Sequence, residues 1–206
     1  VYFDLNETEE EIINGMSSQR RRSILAASKR TDIRFNTDTN TNIINYLCDL
    51  YYETMRRNNA EPKYLFPLSF FLQSIESLKN NLSLCYIVCD DKPISASLIL
   101  RYGGISYDWL AGSNSRFHHL HINEFCVYSS ALMAKHNGDK LFILGGGRAG
   151  HDDSLFEFKS RFSKKTRDFY IYKKIHLNEE YQYLLKLRNG YHNNPVQDFF
   201  PEYRGK

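Results

Sequence analysis

Three consecutive glycines and a single lysine mark the part of this chain where residue types and spacing suit chemistry. The apolar run 141–144 has the character of a buried strand, and Gly145, Gly146 and Gly147 follow it directly. Glycine allows the backbone to approach a ligand closely, because no Cβ stands in the way. Lys159 lies further along, on a segment whose apolar residues have helical spacing. A strand, a glycine turn and a fixed ammonium group can together stabilise developing negative charge.

Each of these residues also has a purely structural explanation. The glycine run can form the wall of a binding site or a tight exit from a strand, and three glycines are more than one turn needs. Lys159 can be a surface lysine on a helix whose core face holds Leu155, Phe158 and Phe162. The run is not a dinucleotide-binding motif, because no G-x-G-x-x-G sequence opens a helix here.

Asp108 is a second candidate, because it lies within a strand-like run. Alternation along a strand predicts Tyr107 and Trp109 on one face, and Asp108 and Leu110 on the other. A carboxylate in the middle of a strand is costly unless it is paired or hydrated. Asp108 can therefore handle the proton of an attacking amine, or it can pair with a structural arginine.

Two groups of basic residues are candidates for binding anions. Arg20, Arg21 and Arg22 begin the densest basic cluster of the chain and can contact phosphates, or they can form a solvated helix face. Arg116 precedes a predicted helix, within a loop that also carries three histidines. We expect these histidines to be polar surface residues rather than zinc ligands, because their spacing is irregular and a fourth ligand is missing.

Composition narrows the class of protein. The chain has 206 residues, 42% hydrophobic and 15% aromatic, which predicts a folded protein. A net charge of +3 is too balanced to indicate a general nucleic-acid binder. No apolar run approaches the ~20 residues of a membrane-spanning helix. The four cysteines show no metal-binding spacing, so we expect buried thiols in a reducing compartment, the cytoplasm, and no metal site.

Periodicity and turn signals predict helices first, then an antiparallel meander, then helix, strand, helix and strand in alternation. The predicted strands are residues 1–5, 82–89, 94–102, 105–111, 140–144 and 168–177. The predicted helices begin near Asn6, Ser17, Ile43, Pro67, Asn123, Asp153 and Glu179. This order predicts an α+β layered fold, with a mixed, mostly antiparallel sheet flanked by helices. We expect one domain over residues 1–188 and an irregular tail over 189–206.

The order of these segments resembles the GNAT acyltransferase fold, and in particular the second GNAT-like domain of the FemABX-type peptidyltransferases. The segments that carry the resemblance are residues 19–29, 51–58, 66–71, 90–96, 105–113, 144–147 and 155–162. Proteins of that family have two such domains. The resemblance therefore implies that this chain is mostly the second one, either as a fragment or as a single-domain relative.

The resemblance also implies an activity and roles for individual residues. Lys159 matches the lysine of the family's Phe-Lys pair, which is thought to stabilise the tetrahedral intermediate of acyl transfer. An aminoacyl or acyl group would pass to an amine of a cell-envelope precursor, such as a peptidoglycan peptide or an amino sugar, by direct attack. The co-substrate would be aminoacyl-tRNA or acyl-CoA, with no tightly bound cofactor. In the GNAT fold, the loop that contains Arg116 would cradle the CoA pyrophosphate, but here it lacks the usual glycines.

Two alternatives remain open beside the Fem-like aminoacyltransferase. One is an acyl-CoA-dependent N-acyltransferase of polysaccharide biosynthesis, and the other is a non-catalytic GNAT-like module that binds a glycan or a partner protein. The candidate substrate-binding residues are Gly145, Gly146, Gly147, Tyr107 and Arg116. Arg20, Arg21 and Arg22 are the candidates for phosphate, including that of a charged tRNA. The sequence gives no oligomeric state.

Overall fold

A computed structural model describes residues 1–37, 41–191 and 199–205 of the chain. Backbone contacts divide the chain into two compact units, residues 1–167 and residues 168–206. Among the described residues, no helix is both long enough and apolar enough to cross a lipid bilayer. The prediction of one domain over 1–188, followed by a tail, stays a prediction.

The elements of the first unit follow the predicted order closely. Its strands are β1 (Tyr2–Asp4), β2 (Ile33–Thr37), β3 (Leu82–Cys89), β4 (Lys92–Tyr102), β5 (Ile105–Ser113) and β6 (Leu141–Ile143). Its helices are α1 (Glu9–Asn14), α2 (Ser18–Ser28), α3 (Thr41–Arg57), α4 (Leu68–Leu78), α5 (Ile122–His136) and α6 (Ser154–Ser160). The second unit contains α7 (Asn178–Tyr191).

The strands of the first unit form one sheet in the order β1-β6-β5-β4-β3-β2. Neighbours are antiparallel except β5 and β6, which run parallel and pair Tyr107 with Ile143. The pairing stops there, because β6 ends at Ile143 while β5 continues to Ser113. The prediction of an α+β fold with a mixed, mostly antiparallel sheet is confirmed.

Helices cover both faces of this sheet. Leu98 of β4 packs with α3 and α4 on one face, around the fully buried Phe71. Ile99 points to the opposite face, because side chains alternate along a strand. There it joins a cluster that includes Ile24 of α2 and Phe162, which follows α6. A strand that is buried on both faces reads as a nearly continuous apolar run, which is why β3 and β4 were predictable.

Local capping signals explain where several helices begin. Ser17 caps α2, and the Asp153 side chain accepts the backbone N–H groups at the start of α6, both as predicted. The prediction that Asn6 caps α1 is wrong by two positions. Thr8 is the cap, and with Glu11 it forms a reciprocal capping box.

Two other predictions about local structure are wrong. Residues 33–37 form the edge strand β2. The run 36–42 is polar and rich in Asn and Thr, which predicts a loop there, so this prediction is wrong at Asn36 and Thr37; positions 38–40 lie outside the described residues. The strand predicted over 168–177 is absent, since no described strand pairs with this segment. Tyr170 lies in this segment, where its aromatic side chain favours a place in the core, but it is 83% exposed. All four cysteines are free and buried, as predicted.

Candidate active site

The candidate site lies where β6 ends beside β5. Gly145 follows β6 closely and has a φ of 78°. A Cβ placed on Gly145 would lie 3.2 Å from the Tyr107 hydroxyl oxygen and 3.4 Å from the Lys159 ammonium nitrogen. A phenol and an ammonium group therefore flank one backbone position. Glycine suits that position for its conformation and for the space it leaves.

The other two glycines of the turn have different surroundings. A Cβ on Gly147 would lie 1.9 Å from the carbonyl oxygen of His151 and 2.5 Å from Asp153 Oδ1, so no side chain fits there. At Gly146 a Cβ would meet nothing within 4 Å. Gly147 therefore makes the tight turn that one predicted alternative describes, while Gly145 borders the Tyr107 hydroxyl and the Lys159 ammonium group. The substrate-binding role of all three stays a prediction.

The Lys159 side chain reaches back across the turn. Its Nζ donates a hydrogen bond to the carbonyl oxygen of Gly146 at 3.0 Å, and the side chain is half-buried. Burial lowers the pKa of Lys159, while the carboxylates of Asp108 and Asp153 act in the opposite direction. Lys159 is therefore no freely solvated surface lysine. The ammonium group is held at a fixed place beside the end of β6.

Asp108 lies on the β5 side of the same site and is also half-buried. Among the described residues its hydrogen-bond donor is the Ser97 hydroxyl of β4, not an arginine. Burial raises the pKa of Asp108, while the Ser97 hydrogen bond and the charge of Lys159 oppose that rise. The predicted alternative of a structural Asp–Arg pair is therefore not what the structure shows. Sequence analysis missed Ser97, although a serine within an apolar strand is a usable signal.

A β-bulge at Trp109 separates Asp108 from the second half of β5. Leu98 pairs with Leu110, but Ile99 pairs with Asp108, so Trp109 is an extra residue in the strand. A bulge leaves one residue unpaired and re-aims its neighbours. Leu110 consequently packs with Trp109 against the α3–α4 face. The prediction that Leu110 shares a face with Asp108 is wrong, because the bulge breaks the alternation.

Tyr107 contributes a hydroxyl group that is held protonated. Burial and the nearby charge of Asp108 both raise the pKa of Tyr107. The side chain as a whole is 37% exposed, so a ligand can reach it. A protonated phenol beside Gly145 can donate a hydrogen bond to a substrate oxygen. This is consistent with the predicted substrate-binding role, which the geometry does not test.

The arginine cluster of α2 lies apart from this turn and is divided by burial. Arg20 is 5% exposed, with Nη1 2.5 Å from Glu124 of α5. Arg21 donates to the side-chain oxygen of Asn14 at 2.8 Å, and Arg22 is exposed. The guanidinium of Arg20 is thus occupied by protein groups. Phosphate binding by these three residues stays a prediction, and Arg21 and Arg22 are the more accessible members.

Arg116 is exposed on a short 3-10 turn, Ser115–Leu120, that precedes α5. His118 Nε2 lies 3.0 Å from the Ser113 hydroxyl, and burial lowers the pKa of His118. His119 Nδ1 lies 3.0 Å from the carbonyl oxygen of Arg116. Within the described ranges, no group of three or more His, Cys, Asp or Glu residues could hold a metal ion.

The one parallel pair of strands in this sheet separates beside the Lys159 ammonium group and the half-buried Asp108 carboxylate. This arrangement defines an acyltransferase domain of the GNAT class. The chain belongs to that family, because the model of the acetyltransferase (GNAT) domain matches residues 16–160. No curated protein matches the chain by sequence.

Solved structures agree with this assignment at the level of the fold. FemX is similar with a TM-score of 0.70 and 13% identity, over 78% of this chain and 57% of the FemX chain. The aminoglycoside acetyltransferase meta-AAC0020, from an uncultured soil metagenomic sample and in complex with sisomicin, has a TM-score of 0.51 and 12% identity, over 71% of this chain and 97% of that one. The predicted resemblance to a FemABX-type GNAT domain is confirmed for family and fold.

A third similar structure is the C-terminal domain of a putative lysylphosphatidylglycerol synthetase from Agrobacterium fabrum. Its TM-score is 0.51 and its identity is 16%, over 78% of this chain and 55% of that chain. This chain therefore spans little more than half the length of two of the structures that it resembles. At identities this low, the similarity concerns the fold.

Acyl-CoA is the co-substrate of GNAT acetyltransferases. The start of α5, where the family's loop would hold the pyrophosphate, does not fit that group well in this chain. Residues 113–137 contain no glycine, and the residue that caps α5 is His121, with a φ of 59°. Glu124 places a negative charge in the first turn of α5, where phosphate would also lie. The contacts that would hold CoA in this place are therefore not evident.

Proposed function

We propose that this chain is a Fem-like acyltransferase. It transfers an aminoacyl or acyl group to an amine of a cell-envelope precursor, such as a peptidoglycan peptide or an amino sugar. The observation that carries this proposal is the placement of the Lys159 ammonium group beside Gly145 and the Tyr107 hydroxyl, where β5 and β6 part. The charge of Asp108 acts on the same ammonium group.

In this proposal Lys159 stabilises the transition state. The amine of the acceptor attacks the carbonyl carbon of the donor ester or thioester, and the carbonyl oxygen becomes an anion. A fixed cation in a site that excludes water lowers the free energy of that anion more than water does. The carboxylates of Asp108 and Asp153 favour the charged form of Lys159 against the effect of burial. The ammonium group is then available as a cation when the oxyanion forms.

Asp108 accepts the proton that the attacking amine loses. Its raised pKa makes it a stronger base than an exposed aspartate, and the Ser97 hydroxyl orients the carboxylate. The C–N bond forms first and gives the tetrahedral oxyanion, and the bond between the carbonyl carbon and the donor oxygen or sulfur breaks when that oxyanion collapses. The proton ends on the leaving group. No covalent enzyme intermediate is needed, and burial raises the pKa of Cys85 to about 12, which makes that nearby thiol a poor nucleophile.

Two observations bear on the acceptor and the donor. The meta-AAC0020 structure is that of an aminoglycoside acetyltransferase in complex with sisomicin, so one protein of this fold acts on an aminoglycoside. The start of α5 lacks glycine, which favours aminoacyl-tRNA over acyl-CoA as donor. Arg21, Arg22 and Arg116 are exposed or half-buried cations that can contact donor or acceptor phosphates. Four buried free thiols suit a reducing compartment, and we place the reaction in the cytoplasm.

The decisive test compares Lys159→Met with Lys164→Met, a matched change at an exposed lysine of the same region. Transfer from labelled aminoacyl-tRNA and from labelled acetyl-CoA is measured with an amino sugar and with a peptidoglycan peptide as acceptors. We expect kcat to fall by more than about tenfold in Lys159→Met, and to stay unchanged in Lys164→Met. Equal kcat in the two folded variants would refute the role of Lys159.

A thermal-shift measurement separates the donors before any assay of turnover. A ligand at 100 times its Kd adds about 2.7 kcal/mol to the free energy of unfolding. Stabilisation by charged tRNA, and not by acetyl-CoA, supports the Fem-like proposal. The reverse result supports an acyl-CoA-dependent N-acyltransferase, which the family match favours.

A second candidate function is a non-catalytic module that binds a glycan or a partner protein. The observation that favours it is the start of α5, which lacks the glycines of a donor loop. Tight binding of an acceptor, with no transfer from either donor, would establish this function instead.

A further inference from the structure

We propose that Arg20 is a positioning residue, which fixes the place of Lys159 by clamping α6 to α2 and α5. Arg20 belongs to α2 and lies far from Lys159 in the sequence, and nothing in its sequence context assigns it this role. The inference rests on the proposed function in one respect: it takes the position of the Lys159 ammonium group to matter for catalysis.

The clamp consists of two directional contacts from one guanidinium. Nη2 of Arg20 donates a hydrogen bond to the carbonyl oxygen of Phe158 at 3.2 Å, and Phe158 directly precedes Lys159. Nη1 lies 2.5 Å from Oε1 of Glu124, on the first turn of α5. Arg20 is 5% exposed and Glu124 is 20% exposed. A planar fork can serve both partners at once, whereas a lysine ammonium on a flexible stem fixes geometry less well.

Two aromatic rings hold the guanidinium against α6. Its central carbon lies 4.5 Å from the centroid of the Phe158 ring and 4.3 Å from that of Phe162. The two rings pack edge to face with centroids 5.3 Å apart, and Phe162 is fully buried. Cation–π contacts in a buried place are stronger than exposed ones. Arg20 is therefore part of the packing that holds the C-terminal end of α6.

The remaining contacts show why α6 needs such support. The helix runs only from Ser154 to Ser160, and helices this short are not stable by their own hydrogen bonds. Its first turn is fixed by the Asp153 cap. Its last turn is followed by Arg161, whose carbonyl oxygen accepts the backbone N–H of Ser17 at 3.0 Å, at the start of α2. Lys159 thus lies between an end held by Asp153 and an end held by α2.

A role in stability does not account for these contacts fully. A buried ion pair adds little to stability over an apolar pair of the same size, because both charges lose water. Burial lowers the pKa of Arg20 against the effect of Glu124, which shows that desolvation is substantial here. Among the described residues, the buried Nε of Arg20 has no hydrogen-bond partner. The guanidinium instead fixes an orientation. Its hydrogen bond to the Phe158 carbonyl oxygen holds the last turn of α6, from which Lys159 projects, in one position.

The experiment compares Arg20→Met, Arg20→Lys and Gln19→Met, where Gln19 is an exposed residue of the same helix with no assigned role in binding. Misplacement of a catalytic group by 1 Å costs about 100-fold in rate. We expect kcat of Arg20→Met to fall by at least about tenfold while KM changes less than about twofold. Arg20→Lys should recover little of the loss, and Gln19→Met should leave both constants unchanged. Wild-type kcat in folded Arg20→Met would overturn the proposal.

Hydrogen exchange of the α6 amides provides a readout without substrate. We expect faster exchange over residues 154–160 in Arg20→Met and unchanged exchange in Gln19→Met. If Arg20→Met does not fold, the double variant Arg20→Met/Glu124→Gln removes the unpaired buried charge and takes its place in both measurements. Unchanged exchange in α6 of the folded variant would overturn the clamp.

The two proposals fail in different ways. If Lys159→Met retains kcat while Arg20→Met loosens α6, the clamp stands and the catalytic role of Lys159 falls. If Lys159→Met loses kcat while folded Arg20→Met keeps kcat and the slow exchange of α6, the proposed function stands and the clamp falls.

Discussion

Two carboxylates beside β5 show how one residue type is used in two ways. Near the start of β5, Asp139 accepts hydrogen bonds from the Ser106 hydroxyl at 2.5 Å and from the Arg101 guanidinium at 2.9 Å. Further along the strand, Asp108 accepts a hydrogen bond from Ser97. Each carboxylate has a serine donor from the sheet. The difference is the arginine, which neutralises Asp139 by direct contact.

Under the proposed function, this difference separates a structural carboxylate from a reactive one. Asp139 is buried and pairs with Arg101. Its charge therefore holds the start of β5 to the residues that precede β6. Burial raises the pKa of Asp108, and the charge of Lys159 opposes that rise, although Lys159 hydrogen-bonds to Gly146 rather than to the carboxylate. A carboxylate with a serine and a shared cation keeps the capacity to take a proton. In Asp139 the carboxylate is engaged in an ion pair with its own arginine.

The largest expected effect is that of Asp108→Asn. Asparagine keeps the size of the side chain and can still accept from Ser97, but it cannot take a proton. General-base catalysis contributes about 10²–10⁴-fold, so we expect kcat to fall by about 100-fold or more. The free energy of unfolding should not fall, because burial disfavours the charge that the substitution removes. Steady-state kinetics and urea unfolding on the same preparation check both statements.

Asp139→Asn is the matched control for this change. It leaves Arg101 without its ionic partner in a partly buried place, which we expect to lower the free energy of unfolding by about 1–3 kcal/mol. At a temperature well below unfolding, kcat should stay near that of the wild type. The comparison breaks if Asp139→Asn loses kcat as Asp108→Asn does, or if Asp108→Asn is the less stable of the two.

The sequence identified Asp108 because a carboxylate within a strand needs an explanation, but it could not say which partner the carboxylate has. That depends on which arginine the register of β4 and β5 brings near, and Arg101 pairs with Ser106 beside Asp139. The sequence could not predict the bulge at Trp109 either, because the pattern of apolar residues continues through it. Lys159 and the glycine turn were predictable, since helix spacing and a glycine run are local signals.

The same distinction applies to the fold: elements with local causes were predictable, and elements that depend on distant contacts were not. The meander of β3, β4 and β5 was predictable from apolar runs and turn residues, and so was α5. Strand β2 is polar at Asn36 and Thr37, and it is a strand because β3 offers an edge to pair with. Residues 168–177 have a strand-like sequence, but they pair with no strand among the described residues. Arg20 looked like part of a solvated cluster, because burial by α5 and α6 is a tertiary effect.

Two glycines sharpen the comparison at a smaller scale. Gly145 lies beside Lys159, and Gly104 lies beside the start of β6, which follows Asp139. Both glycines have a φ of 78°. We expect Gly145→Ala and Gly104→Ala to cost about 1 kcal/mol each in stability, because both force a side chain into the left-handed region. A Cβ meets the Tyr107 hydroxyl and the Lys159 ammonium only at position 145, and nothing within 4 Å at position 104.

We therefore expect kcat to fall about tenfold in Gly145→Ala, since a displaced Lys159 stabilises the oxyanion less well. Gly104→Ala should keep kcat near that of the wild type. Thermal unfolding, measured together with the kinetics, shows whether Gly145→Ala and Gly104→Ala lower the stability equally. Equal losses of kcat would mean that backbone strain, rather than contact with the reactive groups, explains the effect at Gly145.

The smallest expected effect is the dependence of stability on pH. Burial raises the pKa of Asp108 in the folded state above the value of about 3.9 for an exposed aspartate. Between these two values the folded state binds a proton that the unfolded state has lost. The free energy of unfolding therefore falls as pH rises through this window, and the contribution of the protonated form is gone above the folded-state pKa.

Asp108→Asn removes this titration, so its stability relative to the wild type should rise with pH across the window and then stay constant. Urea unfolding of both proteins at several pH values measures the difference directly. Asp139→Asn should retain the fall that belongs to Asp108, because it leaves that carboxylate in place. A constant difference between Asp108→Asn and the wild type would mean that the folded protein does not disfavour the charge on Asp108. The contrast with Asp139 would then rest on the ion pair of Arg101 rather than on the environment of Asp108.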